Sequence, residues 1–296
     1  MNEQPISFYS EGLKLKGTLY YPEDYEEGKR YPAVIPNSGY NGFNGFYPKL
    51  FARNFTRYGY ICLGFDYRGF AESEGERGRV ILDEQVADIR NAVTFMAHHP
   101  AVDPRKIGIL GWGMGASNVI RAAAIDQRIA AVAGLNGFYR GDRWLRSIHT
   151  YTNWHHILKE VEEDRIRRVT TGHSLRVDPF LYYPLDPSTD GHVNVELAHI
   201  DGFGEQASMQ FTESIIELNA EKSAADISPR PLFVAHGKRN LLHPVEESQA
   251  LFEAARQPKY YYEIDGEHND FMYHDHPQFQ ALIRELVHFF AAGLAV

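Results

Sequence analysis

Cysteine is almost missing from this chain: Cys62 is the one residue of its kind in 296. A lone cysteine excludes an internal disulfide, and its place in the apolar run Tyr60-Ile61-Cys62-Leu63-Gly64-Phe65 reads as a buried structural thiol rather than a nucleophile or ligand. Basic charge is also scarce. With 30 Lys and Arg against 39 Asp and Glu, the formal net charge is -9. Nucleic acid and anionic membranes are bound through basic patches that displace counterions, so neither is an expected partner, and a small molecule is. No window reaches the length that crosses a bilayer, and Met1 to Tyr9 lacks a basic start followed by a long apolar run. The expectation is a soluble chain in the cytoplasm. Internal repeats and low-complexity tracts are absent as well.

What is present is enough apolar material for one large core. At 44% hydrophobic over this length, the chain can bury a catalytic-sized domain and carry an insertion besides. Two alternating stretches, Pro5 to Tyr9 and Leu13 to Tyr21, flank Ser10-Glu11-Gly12 and predict an antiparallel hairpin. Beyond them the pattern changes to short continuous apolar runs, at Ala33 to Pro36, Ile61 to Phe65, Ile107 to Leu110, Ala130 to Leu135, Leu232 to Ala235 and Tyr260 to Ile264. Continuous runs suit strands covered on both faces. Helical periods alternate with them at Leu50 to Tyr58, Val86 to Met96, Ala116 to Ala124, Glu246 to Ala255 and Phe279 to Phe290. The alternation predicts a wound, mostly parallel α/β sheet with crossover helices.

One segment interrupts it. Residues 140–223 hold no short apolar run flanked by turns, but carry helical stretches rich in Trp, His and charge, such as Trp144 to Arg168 and Phe211 to Ala220. This segment is expected to be a cap inserted after the sixth strand, with residues 1–139 and 224–296 forming the core; insertions at loop positions cost little closure entropy. Its aromatic residues Trp144, Tyr151, Trp154, Tyr182 and Tyr183 are expected to pack cap on core, some of them lining an apolar pocket.

The strongest local signal is Ile107-Gly108-Ile109-Leu110-Gly111-Trp112-Gly113-Met114-Gly115-Ala116-Ser117, a strand entering a tight turn that opens a helix. In a nucleophile elbow, flanking glycines relieve crowding at that turn and leave the central residue strained. On these residues the chain resembles the α/β-hydrolase superfamily, and more narrowly its dienelactone-hydrolase and prolyl-peptidase-like esterases, over everything but the cap. Phe65-Asp66-Tyr67-Arg68-Gly69-Phe70, Asp88 and Val102-Asp103-Pro104-Arg105 add to the likeness. The resemblance implies an eight-stranded, mostly parallel sheet with flanking helices and a helical cap.

It also implies a Ser-His-acid triad, from which this chain departs twice. Gly113 stands where the family holds its serine, and Asn240, in Gly237-Lys238-Arg239-Asn240-Leu241-Leu242-His243, where it holds its acid. His268, in Asp265-Gly266-Glu267-His268-Asn269, matches the catalytic histidine. Glycine has no side-chain oxygen, so no acyl-enzyme can form at position 113. Ser117, one turn into the helix, reads as packing. The loop Asn37-Ser38-Gly39-Tyr40-Asn41-Gly42 falls where the family supplies an oxyanion donor, the Met114 N–H would supply another, and Tyr40 could add a hydroxyl. Ser38, Gly39, Tyr40, Trp112 and Met114 are therefore the candidate binding residues, with His268 as a candidate general base. Asp142 is an alternative orienting acid for His268. No HExxH spacing occurs, so His155-His156 and His274-Asp275-His276 are read as surface residues and neither metal nor cofactor is expected.

Three readings stand at this stage. One is an enzyme acting on a small carbonyl compound without a covalent nucleophile: a lyase, isomerase, cyclase or water-adding catalyst using His268 and an oxyanion hole. Another is a pseudo-hydrolase that binds a small molecule without turnover. The third is a serine esterase or amidase whose nucleophile has been exchanged for Gly113 in this copy of the chain. A homodimer is expected on base rates for soluble proteins.

Overall fold

The computed structural model describes residues 2–40, 42–197 and 206–295; Asn41 of the proposed oxyanion loop and residues 198–205 of the insertion lie outside the described residues. The chain runs β1 (Asn2–Ser10), β2 (Leu13–Tyr21), β3 (Tyr31–Asn37), α1 (Tyr47–Phe55), β4 (Ile61–Phe65), α2 (Leu82–Ala97), β5 (Val102–Trp112), α3 (Met114–Ile125) and β6 (Ile129–Leu135). Then come α4 (Gly141–Ile148), α5 (Tyr151–Thr171), β7 (Arg176–Val177), α6 (Pro187–His192), β8 (Ala207–Ser208), α7 (Gln210–Glu217) and α8 (Glu221–Ala224). The core resumes with β9 (Leu232–Gly237), α9 (Val245–Ala254), β10 (Lys259–Ile264) and α10 (Pro277–Gly293).

Eight strands form one sheet in the order β1-β2-β4-β3-β5-β6-β9-β10. The hairpin strands β1 and β2 pair antiparallel, β2 meets β4 antiparallel, and every later pairing is parallel. Most of the continuous apolar runs are buried as their composition requires, β4 and β9 throughout, but β10 lies at the sheet edge and leaves Tyr260 half exposed. A buried ion pair ties the loop after β4 to α2: Arg68 Nη2 lies 2.7 Å from Asp88 Oδ1, with the Asp88 side chain wholly out of solvent.

Apolar period alone misplaces some helix ends. α1 starts three residues before Leu50, because Pro48 sits in its first turn, where a missing N–H costs nothing. The stretch Trp144 to Arg168 is two helices: Thr150 is extended and its side chain accepts from Asn153 N, capping α5 and ending the run of α4. Tyr151, expected to pack, is 80% exposed on the first turn of α5. Trp144 does pack, buried and stacked on Phe138 at 4.2 Å between ring centroids. The helices of the insertion all lie between β6 and β9, so they enter the chain at the end of the sheet's central strands.

Candidate active site

The site begins at the turn between β5 and α3. Gly113 sits there at φ 57° and ψ -123°, a backbone that strains any residue with a Cβ. Its neighbours are glycines of necessity: a Cβ on Gly111 would lie 2.2 Å from the Gly115 carbonyl, and one on Gly115 would lie 2.1 Å from that of Ser38. The elbow is therefore intact in its backbone and bare at its apex. A Cβ on Gly113 would meet only ordinary contacts, His268 Nε2 at 3.5 Å and His243 Cε1 at 3.8 Å.

The loop after β3 packs onto the elbow. A Cβ on Gly39 would stand 3.0 Å from the Trp112 carbonyl and 3.7 Å from Met114 N. Met114 is the first residue of α3, and the first N–H groups of a helix have no acceptor within it. Ser38 is buried, while the Tyr40 ring packs against the insertion, tilted on Phe211 at 4.8 Å and edge-on to Phe180 at 5.6 Å. The Trp112 side chain turns from the elbow into the core against Tyr47 and Phe271. A cavity of about 60 Å³ joins these parts; Ser38, Gly39, Tyr40, Trp112, Gly113, Met114, Tyr183, Leu242 and His268 line it. That is room for roughly four waters or a compound of similar size.

His268 is buried in the loop after β10, and its hydrogen bonds fix its protons. Asn240 Oδ1 accepts from two backbone amides, Leu242 N and His243 N, each at 3.1 Å. Backbone amides can only donate, so the oxygen of Asn240 is on that side and its NH₂ faces His268 Nδ1, 3.1 Å away. Nδ1 of the neutral ring is thus the acceptor, and Nε2 carries the hydrogen toward Gly113. In a triad an acid accepts from Nδ1–H and leaves Nε2 free as a base. Here the tautomer is reversed, and the ring offers the pocket a donor in place of the base expected from the motif. Burial, followed by the nearby rings of His243, His236 and His192, holds its pKa well below the usual value, so the ring stays neutral.

Asp142, the alternative acid, is elsewhere engaged: at the start of α4 it takes two hydrogen bonds from Arg140, at 2.9 and 3.3 Å. Ser117 is buried and donates to the Phe138 carbonyl, a packing role. His276 caps α10 by accepting from Gln278 N. Among the described residues no group of three or more His, Cys, Asp or Glu is placed to hold a metal ion, and no helix is long and apolar enough to cross a membrane.

Three site residues escaped the motif. His243 packs its ring edge-on to His268 at 4.8 Å between centroids, and burial pushes its pKa down to about 3. Its Nδ1 lies 2.7 Å from the Asn136 carbonyl and its Nε2 2.7 Å from the Tyr183 hydroxyl. Asn136, at φ 50°, binds Gly237 N through its side-chain oxygen and the carbonyls of Glu267 and His268 through its NH₂. It thereby locks the loop after β9 to the loop that bears His268. The signal for His243 was its position three residues after Asn240.

The eight-stranded sheet and the elbow define an α/β hydrolase. A profile of the serine aminopeptidase, S33, family matches residues 29–268, and the chain belongs to that family. It is 26% identical over 267 residues to an Escherichia coli protein described as an uncharacterized 31.7 kDa protein in the traX-finO intergenic region, covering 88% of this chain and 90% of that one. It is 26% identical to the acyltransferase drtE of Aspergillus calidoustus, covering 94% and 91%. The crystal structure of the α/β hydrolase GrgF from Penicillium sp. sh18 superposes with a TM-score of 0.84 at 22% identity, covering all of both chains.

Proposed function

We propose that this α/β hydrolase acts on a small carbonyl compound, thioesters among them, without forming an acyl-enzyme. The observation that carries the reading is the bare apex: Gly113 keeps the elbow backbone, while the Met114 N–H, the Ser38–Tyr40 loop and His268 Nε2 surround the space above it. Donors converging on one point stabilise negative charge developing on a carbonyl oxygen, the largest contribution in many acyl-transfer sites, and they need no nucleophile to do so. Likeness to a protein named as an acyltransferase supports a carbonyl substrate. Ser38, Gly39, Tyr40 and Met114 form the oxyanion side, Trp112 backs it, and His268 adds a third donor; lyase, isomerase, cyclase and water-adding chemistry are all open to such a site. The narrower likeness to dienelactone hydrolases and prolyl-peptidase-like esterases fits the elbow but lacks their triad. A binding module without turnover is favoured by one observation, the lone pair of His268 being spent on Asn240.

The test is to incubate the protein with S-acetyl-N-acetylcysteamine, following thiol release and the intact mass. The reading predicts release that is lost in His268→Ala, with no acetyl adduct at any time. An adduct would reveal a nucleophile and overturn it. Release that is no faster than in buffer would leave the binding module.

A further inference from the structure

Two chains of hydrogen bonds run from the backbone into this cavity, and each ends on an atom of fixed polarity. The first starts at the amides of Leu242 and His243, passes through Asn240, and ends at His268 Nε2–H. The second starts at the Asn136 carbonyl, which can only accept, so His243 Nδ1 carries a hydrogen. A neutral ring then has its lone pair on Nε2, and the Tyr183 hydroxyl, 2.7 Å away, must donate to it. With its hydrogen spent there, the Tyr183 oxygen can only accept from anything in the pocket. Tyr183 lines the same cavity as Gly113, and the His243 ring links the two: its Cε1, bonded to the Nε2 that receives the hydroxyl, lies 3.8 Å from where a Cβ on Gly113 would stand.

On this side of the cavity a side chain that donates, His268, thus stands beside one that accepts, Tyr183, on rings that pack against each other through His243. Of the other polar side chains of the lining, Tyr47, Asn269 and Thr189 bind one another and Thr189 also donates to Asp186, while Ser38, Tyr40 and Trp112 belong to the oxyanion side. Most of the remaining wall is apolar, with Phe46, Phe180 and Leu185 among its residues.

We infer that the ligand is a small hydroxy-carbonyl compound, whose carbonyl oxygen is held by His268 Nε2–H and the Met114 N–H and whose hydroxyl donates to Tyr183. The inference rests on the carbonyl reading above and adds the second group. A plain ketone satisfies the donors but leaves the Tyr183 oxygen desolvated and unpaired, which is how polar sites discriminate against analogues that lack one group.

The experiment compares acetoin and 4-hydroxybutan-2-one, which place the hydroxyl one and two carbons from the carbonyl, with butan-2-one, following amide shifts of Gly113 and Met114 by NMR titration. In the native protein the better of the two hydroxyketones is expected to bind roughly tenfold more tightly than butan-2-one, the gain of one satisfied hydrogen bond. In Tyr183→Phe that ratio falls to about one. Equal binding of all three compounds to the native protein, or an unchanged ratio in Tyr183→Phe, would overturn the inference and leave the carbonyl reading standing. Should none of them move the Gly113 and Met114 amides, both fall together. If the variant unfolds, binding of every compound is lost and the ratio in the native protein decides alone.

Discussion

Asn240 meets His268 nitrogen to nitrogen, Nδ2 to Nδ1 at 3.1 Å, because its oxygen is already held by the amides of Leu242 and His243. An aspartate there would have two acceptors and no donor, and the imidazole would have to turn its Nδ1–H toward it. One side-chain atom thus decides whether the ring gives the pocket a proton donor or a base.

A serine at the elbow is therefore expected to stay idle. Gly113→Ser meets only ordinary contacts but takes on a strained backbone, at a cost of about 1–3 kcal/mol. Its hydroxyl would face Nε2–H and find no base. Fluorophosphonate labelling and 4-nitrophenyl acetate hydrolysis should remain at background in Gly113→Ser and rise in Gly113→Ser/Asn240→Asp. The gain can approach roughly 10⁴-fold, the scale set by Asp-to-Asn replacement in a serine protease. Brisk labelling of the single variant would contradict the assigned tautomer.

Asn136 is expected to matter as much as any core residue. Asn136→Ala loses the bonds to Gly237, Glu267 and His268 and puts a Cβ-bearing residue without local hydrogen bonding at φ 50°. Urea denaturation should show a loss of about 3 kcal/mol. A loss below about 1 kcal/mol would mean that the two loops hold each other by other means.

The Arg68–Asp88 pair makes a contrast between breaking and replacing. Arg68→Ala leaves a wholly buried carboxylate uncompensated, and should destabilise by about 3–5 kcal/mol. The double variant Arg68→Met/Asp88→Leu should recover most of that, since it removes both charges and keeps volume. Equal losses in single and double variants would show that packing, rather than charge, accounts for the effect.

Stability should fall as acid charges the buried rings. Burial lowers His243 to about 3 and His236 to about 4, so the unfolded chain takes up these protons first once the pH drops below the ordinary value near 6.5. The contribution is complete above that pH and is lost progressively toward pH 4 and then 3, at about 1.4 kcal/mol per pH unit for each ring. Asp66, raised to about 6 by burial, and Asp88, raised by burial as well, work in the opposite sense. His243→Gln isolates one ring: its stability difference between pH 7 and pH 5 should be smaller than the native protein's by about 2 kcal/mol. An unchanged difference would place His243 outside the buried set.

Much of the fold was legible because strand and helix leave periodic marks. β4 and β9 announced themselves as continuous apolar runs, and the glycines at 111 and 115 marked an elbow whose flanking positions have no room for a Cβ. Helix ends were harder, since Pro48 and Thr150 act through local capping rather than apolar period. In the site, His268 and Asn240 lie in recognisable segments, but which atom of Asn240 faces the ring depends on two amides that only the folded loop brings near. Tyr183 read as a packing aromatic because it sits in an irregular stretch of the insertion, and nothing local links it to a histidine sixty residues away.

The orientation of Asn240 is measured most directly at His268 itself, by two-bond ¹H–¹⁵N correlation on protein with ¹⁵N-labelled histidine near neutral pH. The structure predicts a neutral ring with Nε2 protonated and Nδ1 bare, and, in Asn240→Asp, the opposite tautomer. A native spectrum with the proton on Nδ1 would mean that His268 presents a base to the cavity, and the donor-lined site would not stand.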